Sequence, residues 1–408
     1  MFDQILKQLD LPPYRLKQIN HAIFKELIGD WSQATALPGD LREYLQENVP
    51  LSTIEPARVL TSDKGDTIKV AFRALKTNGI PDSRSAALPV GDDTGCQFES
   101  VLMMHDDRNT VCVSSQIGCP VGCTFCATGQ MGFKRNLNYR EIVDQVLWFA
   151  RYLKYGVNAH TPEKSIDRKI NNIVFMGMGE PMLNIDNVSQ SIDILTDDNL
   201  FGLGKRKITV STSGYIEPLR KFLNNYPHIG LAISLHAPNQ QLREKIMPTV
   251  AKSNHIDDLI AVAREYSQRT KRRVSFEYIL IDGVNDDLEH ARELAHIVGA
   301  RCCVPCGLPC GGSNCVPRVG SNCATDVKLN NCVDCKQEGT QQRAPTDTFL
   351  FHINLIPYNP IENFKLHRPN TYRVNRFKNE LIKLGIPVSV RVSMGDDIAA
   401  ACGQLAGE

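Results

Sequence analysis

Neither sign of charge dominates this sequence: Lys and Arg number 46, Asp and Glu 45, leaving a formal net charge of +1. Global attraction to nucleic acid is therefore excluded as a signal, and any such binding has to come from local patches. Long apolar runs are lacking too. No stretch approaches the roughly 18 consecutive apolar residues a membrane helix needs, and the opening MFDQILKQLDLPPYR carries Asp3 where an export signal would be basic. These absences predict a soluble, cytoplasmic protein with no membrane partner; a monomer is the expected state. With 408 residues, 42% hydrophobic and 22% charged, the chain can build one large domain and a smaller one.

Cysteine is plentiful, and its distribution is uneven. Of 14 cysteines, five fall between Cys96 and Cys126, eight between Cys302 and Cys335, and Cys402 stands alone. In a chain without an export signal, such clusters are more often metal ligands or catalytic thiols than a disulfide framework.

Residues 1–50 read as a small helical accessory domain, in which YRLKQINHAIFKELI places Leu16, Ile19, Ala22 or Ile23, and Leu27 on one face with basic residues off it. Residues 51–100 read as a β-rich linker: DTIKVAFRAL and FESVLMM form a linking hairpin around a Gly/Pro/Ser-rich loop at about 77–97. From 101 to 408, strands alternate with helices. VCVSS, NNIVFMGM, KITVST, GLAISLH, RVSFEYILI, FLFHINLI and VSVRVS are short β-branched runs. REIVDQVLWFARYL, VSQSIDILT and HIDDLIAVAREYS between them have helical spacing. Right-handed βαβ units follow, and the expected fold is α/β, a partial (β/α) barrel of about six units with chemistry on loops after the strands' C-terminal ends. A Cys-, Gly- and Pro-rich insertion at about 301–347 interrupts the alternation.

IGCPVGCTFCATGQMGFKRN places Cys119, Cys123 and Cys126 in a C-x3-C-x2-C loop after a strand. Three thiolates this close can wrap a corner of a 4Fe–4S cube and leave the fourth iron open. A three-cysteine zinc site or ordinary buried cysteines are the alternatives, although zinc normally takes a fourth nearby ligand. Glu180, between glycines and Pro181 in FMGMGEPMLN, suits a free amino group, with a solvated turn carboxylate as the bland alternative. Ser211, Ser234, His236 and Asn359 recur at successive strand ends, where they can bond ribose hydroxyls and an adenine edge. Taken singly, Cys112 and Cys402 read as buried apolar cysteines as readily as nucleophiles.

The cysteine loop resembles the radical-SAM superfamily. Together with GEP, ITVSTSG, AISLHAP, INLIPYNP and GDDIAAACGQL, in that order, it resembles the RNA adenine methyltransferases of the RlmN type over nearly the whole chain. The loop at 77–97 and the Cys-rich insertion depart from that pattern.

The resemblance implies a radical-SAM barrel with one 4Fe–4S cluster on Cys119, Cys123 and Cys126. It further implies S-adenosylmethionine, two molecules per turnover, at Gly179, Glu180, Ser211, Ser234, Leu235, His236 and Asn359. An electron from the reduced cluster would yield a 5′-deoxyadenosyl radical. Cys402 would be methylated by one donor, lose a hydrogen atom to the radical made from a second, and add through its methylene radical to adenine carbon 2. That ring carbon is electron-poor and has no lone pair, so a radical can reach it where polar alkylation cannot. Cys112 would release the adduct through a transient disulfide, and Glu99 would accept the ring proton.

The implied substrates are an adenine in the peptidyl-transferase region of 23S rRNA and the adenine beside the anticodon in tRNA, with flavodoxin or ferredoxin as electron donor. Phosphate contacts are sought in Lys134-Arg135, in Lys205-Arg206-Lys207 and in Lys271-Arg272-Arg273; the first, beside the cluster loop, is favoured. A Cfr-type enzyme, methylating carbon 8 and conferring antibiotic resistance, is the alternative within the family, although GEP and LIPYNP are more similar to the carbon-2 enzymes. A catalytically silent iron–sulfur RNA-binding protein is the alternative outside it. The insertion carries Cys302, Cys303, Cys306, Cys310, Cys315, Cys323, Cys332 and Cys335. Its Cys303-x2-Cys306 and Cys332-x2-Cys335 pairs have the arrangement of a zinc ribbon, with a flexible run of reduced thiols as the alternative.

Overall fold

The structure, a computed structural model, describes residues 11–75, 97–156, 169–299, 350–362 and 364–406. The Cys-rich insertion with its zinc pairs lies outside the described residues, as does the 77–97 loop apart from Gln97.

Pro13 opens the first helix, where its missing N–H is no loss. Helix α1 (Pro13–His21) runs into a wider turn, Ala22–Glu26, which ends at Leu27 in the left-handed conformation. Ile19, Ala22, Ile23 and Phe24 are buried with Trp31, whose indole N–H donates to Val49 O at 2.7 Å. Helix α2 (Gly39–Asn48) completes this N-terminal unit. The remaining α-helices among the described residues are α3 (Ala127–Gln130), α4 (Tyr139–Tyr155), α5 (Ile185–Thr196), α6 (Ile216–Asn225), α7 (Gln240–Ile246), α8 (Pro248–Ser253), α9 (Ile256–Thr270), α10 (Leu288–Val298) and α11 (Thr371–Lys383). The N-terminal unit docks on α4, where Arg151 Nε and Lys154 Nζ donate to Ile28 O and Glu26 O.

The strands are β1 (Ile54–Thr61), β2 (Thr67–Ala74), β3 (Gln97–Met104), β4 (Asn109–Cys112), β5 (Gln116–Gly118), β6 (Phe133–Asn136), β7 (Asn172–Phe175), β8 (Ile208–Thr212), β9 (Gly230–Ser234), β10 (Val274–Leu280), β11 (Phe351–Pro357) and β12 (Val388–Val390). Ten of them form one open sheet in the order β1-β2-β3-β4-β7-β8-β9-β10-β11-β12, and β5 and β6 pair separately. From β4 to β12 the pairing is parallel, with neighbours in chain order, as βαβ repetition requires. This is an α/β fold, and the partial barrel expected from the strand–helix alternation is what the parallel strands build. β10 illustrates why: it is buried along nearly its whole length, as a parallel strand covered on both faces must be.

Instead of standing apart as a linking hairpin, β1, β2 and β3 continue the same sheet, because β3 pairs antiparallel with β4. Side chains of β2 and β3 such as Val70, Phe72, Phe98 and Leu102 belong to the main core. The extension brings Lys69 and Glu99 up to the segment that carries Cys402.

Candidate active site

Beyond β4 the chain makes the β5–β6 ribbon, and the cysteine loop is the connection between those strands. Gly118, at φ +70°, ends β5; a Cβ there would sit 1.8 Å from Gly132 O, so the ribbon closes only on glycine. The loop is tied down by its backbone: Cys119 N donates to Gly132 O and Cys126 N to Cys123 O. Thr124 N donates to Ile246 O, at the end of α7, at 3.0 Å.

The three thiols rim one cavity of about 180 Å³, which is also lined by Gly179, Glu180, Ser211, Ser234, His236, Glu277, Arg391 and Cys402. Among the described residues no three His, Cys, Asp or Glu side chains close around one point as a single ion needs. A cuboidal cluster asks for less convergence, because each thiolate takes its own iron. Burial pushes the Cys119 thiol up to about 12 and the Cys123 and Cys126 thiols upward as well. Such thiols hold their protons until a metal's charge displaces them. The residues thus fit an iron–sulfur cluster, with Cys119, Cys123 and Cys126 as its holders.

Glu180 is nearly fully buried at the end of β7 and accepts from four donors. These are Met182 N at 2.9 Å, Thr212 Oγ1 at 2.7 Å, Ser213 N at 2.7 Å and Ser213 Oγ at 2.6 Å. Burial raises its pKa and those hydrogen bonds pull it back. The carboxylate is therefore fixed in direction before any ligand arrives, and it is not the solvated turn group that the sequence left open. Gly179 (φ +99°) allows the approach: a Cβ there would lie 2.5 Å from Gln116 Cβ.

Ser211 and Ser234 hydroxyls face each other at 3.4 Å across β8 and β9. His236, left-handed at φ +59°, accepts from Ile279 N at its Nδ1 at 3.0 Å and packs edge-on against Phe125, ring centres 4.9 Å apart. Burial, with Arg243 second, pushes it down to about 3. The ring is neutral, and the hydrogen bond assigns its proton to Nε2.

Cys402 opens into this cavity from the segment after β12. Its thiol can be reached from the cavity, yet enough protein encloses it to raise its pKa. The segment is held by Ala127 N on Gly403 O at 2.8 Å, Thr128 Oγ1 on Leu405 O and Asn359 Nδ2 on Cys402 O at 3.2 Å.

Four expected site residues lie outside the cavity lining. Asn359 binds the Cys402 carbonyl and accepts from Ser393 Oγ, so both ends of its amide are engaged within the protein. Leu235 is buried in the core, its N–H on Glu277 O and its carbonyl on Ala237 N. Cys112 is buried at the end of β4, its pKa raised by burial and then by the charge of Cys402. Glu99 is the third residue of β3 rather than a solvated strand-start carboxylate. It is 5% exposed, pairs with Lys69 and accepts from Ala406 N.

Sequence reasoning passed over Thr212, Ser213, Arg243, Glu277 and Arg391. Thr212 and Ser213 stand in the same STSG run as Ser211, and the signal for Glu277 was a lone acid inside the apolar strand RVSFEYILI. The basic runs are placed less favourably than expected. Arg135 makes a two-pronged pair with Glu141, at 2.8 and 2.9 Å, that braces the start of α4. Lys205–Lys207 and Lys271–Arg273 precede β8 and β10, at the end of the sheet away from the cavity.

Comparison with known proteins agrees with this geometry. The Radical SAM superfamily model matches residues 113–295. A "Probable dual-specificity RNA methyltransferase RlmN" of Chloroflexus aurantiacus is 38% identical over 405 residues, covering 99% of this chain and 90% of the relative. The chain belongs to the RlmN family. A dual-specificity RNA methyltransferase RlmN of Marinobacter nauticus is 36% identical, covering 97% of this chain and 87% of that protein. Among solved structures, a radical SAM methyltransferase from Sphaerobacter thermophilus aligns with a TM-score of 0.76 at 36% identity, covering 99% of this chain and 96% of that one. Like other RlmN-family chains, this one is a radical-SAM, S-adenosylmethionine-dependent RNA methyltransferase. No helix among its described residues is long and apolar enough to cross a membrane.

Proposed function

We propose that this enzyme methylates carbon 2 of adenine in 23S rRNA and in tRNA, through a methylated Cys402 and a transient Cys112–Cys402 disulfide. One observation carries the reading: Cys402 opens onto the same cavity as Cys119, Cys123, Cys126 and Glu180, although the two parts lie at opposite ends of the fold's chain order. When bound, the cluster and S-adenosylmethionine supply reductive cleavage of the sulfonium and a hydrogen-abstracting radical.

The protein's own groups do the rest. Glu180, fixed by Thr212 and Ser213, orients the donor's amino group, and the neutral His236 and the Ser211–Ser234 pair present donors to its sugar and base. The Cys402 sulfur takes the first donor's methyl as the methyl–sulfonium C–S bond breaks; S-adenosylhomocysteine leaves, and the thiol proton goes to solvent. Glu99, one hydrogen bond from the Cys402 segment, is assigned the ring proton. Once a one-electron acceptor, a role the oxidised cluster would supply, has taken the adduct's unpaired electron, Cys112 attacks the Cys402 sulfur; the S–S bond forms as the S–C bond to the base breaks, and the released carbon takes up a proton. An external dithiol must then reduce the disulfide. A flavodoxin or ferredoxin donor, a cytoplasmic site, a monomeric state, two donors per turnover and zinc in the Cys-rich insertion belong to the same proposal and rest on the sequence.

The test is anaerobic reconstitution followed by nucleoside mass spectrometry of 23S rRNA and tRNA. The wild type should produce 2-methyladenosine, Cys402→Ala none, and Cys112→Ala RNA that stays covalently attached. 8-Methyladenosine as sole product would make the enzyme Cfr-type. Failure to form 5′-deoxyadenosine would favour a silent iron–sulfur RNA-binding protein.

A further inference from the structure

Arg243 has no place in the scheme above, yet it is among the largest fully buried side chains of the protein. It projects from α7, the helix whose last carbonyl, Ile246 O, accepts from Thr124 N in the cysteine loop. Its Nη2 donates to Ser213 O and its Nη1 to Asn254 O at 3.2 Å; Nε has no partner among the described residues. Ser213 is the residue that gives both its N–H and its hydroxyl to Glu180. A continuous path therefore runs from guanidinium to Ser213 to Glu180. The acids acting on Arg243 are Cys123 and Glu180, in that order.

A buried cation is costly unless nearby anions offset it. Here the anions are Glu180, in place before loading, and those the site acquires on loading: the thiolate of Cys123 and the electron added to its cluster. An electron arriving in a low-dielectric pocket raises local negative charge, and a fixed cation close by lowers the cost. A helix carrying a solvated arginine would provide neither the fixed distance nor the low screening.

We propose that Arg243 is a positioning residue with two effects, holding Ser213 and hence Glu180 in line for the methyl donor and supplying the buried positive charge that makes the cluster easier to reduce. The inference rests on the cofactor reading above, and its test separates the two. The wild type is first loaded with cluster anaerobically, and its donor binding and EPR signal on reduction are recorded. Absence of these in the wild type would fail the cofactor reading itself.

Given a wild type that loads, Arg243→Met and Arg243→Lys are compared with it by EPR-monitored redox titration and by equilibrium binding of S-adenosylmethionine. In Arg243→Met the cluster potential shifts to a more negative value and donor affinity falls tenfold or more. Arg243→Lys keeps the charge and loses the planar fork, so its potential stays near the wild type while donor affinity still falls. Should Arg243→Met fail to bind iron, Arg243→Gln, which keeps donors at reduced reach, takes its place with the same expected negative shift. A folded, loaded neutral variant with unchanged potential would overturn the charge role. Unchanged donor affinity in both the Lys and the neutral variant would overturn the positioning role.

Discussion

Lys69 Nζ and Glu99 Oε1 lie 3.0 Å apart on neighbouring strands β2 and β3, with side chains only 10% and 6% exposed, and both groups reach the segment that carries Cys402. Lys69 donates to Ala399 O at 3.2 Å and Glu99 accepts from Ala406 N at 2.9 Å. The pair clamps the Cys402 segment from outside the cavity lining. Removing one member strands the other's charge, which for buried pairs costs about 3 kcal/mol or more. Lys69→Met should lower unfolding stability by that order and speed hydrogen exchange across residues 396–406. Exchange confined to wild-type rates there would show that the clamp does not hold the segment.

Donor affinity should depend on Ser213 and Thr212 without affecting iron content. Hydrogen bonds to charged groups contribute roughly 1.5–3 kcal/mol each, so Ser213→Ala should weaken S-adenosylmethionine binding on the order of tenfold. Thr212→Val should act in the same direction, and iron per chain should stay at the wild-type level in both. Equal losses of iron and donor would instead mark these residues as supports of the cysteine loop.

His236 gives a pH signature. Its native pKa, pushed down by burial to about 3, lies below the ordinary value of 6.5. Between those values the unfolded chain binds a proton that the native ring refuses. Stability from this group is complete above pH 6.5 and declines as pH falls toward 3. At about 1.36 kcal/mol per unit, the wild type should lose roughly 2 kcal/mol from this source between pH 6.5 and 5. Urea titrations of wild type and His236→Gln should show that difference, and parallel curves for the two proteins would remove the assignment.

Oxidation of the purified protein should join Cys112 to Cys402. The charge of Cys402 bears on Cys112, and each thiol's pKa is raised, chiefly by burial. Only thiolate attacks, so cross-linking by a disulfide reagent should quicken as pH rises. Peptide mapping after mild oxidation should recover one peptide pair containing both cysteines. A pairing of Cys402 with Cys126 in place of Cys112 would reassign the resolving thiol.

Much of the parallel sheet was legible because β-branched runs such as RVSFEYILI and helical periods such as REIVDQVLWFARYL have unmistakable spacing. The cysteine loop and Glu180 were legible for a different reason: short motifs at strand ends bring their chemistry with them. Pairing between distant strands was not legible. Nothing local in DTIKVAFRAL says that β2 and β3 will extend the main sheet, and so Lys69 went unnoticed and the role of Glu99 rested mainly on the resemblance. Arg243 was hidden likewise, since an arginine in a polar run like NQQLREK reads as a surface residue until α7 is packed against the cysteine loop. The basic runs misled in the opposite sense, because charge clustering along a chain carries no information on which end of a sheet it occupies.

The segment bearing Cys402 follows every strand of the sheet, while the cysteine loop precedes most of them. During synthesis the ribosome therefore releases the three thiols of the loop long before the segment that completes their cavity has been translated. The cavity around them is complete only when Cys402 and Gly403, held through Asn359 and Thr128, have joined its lining.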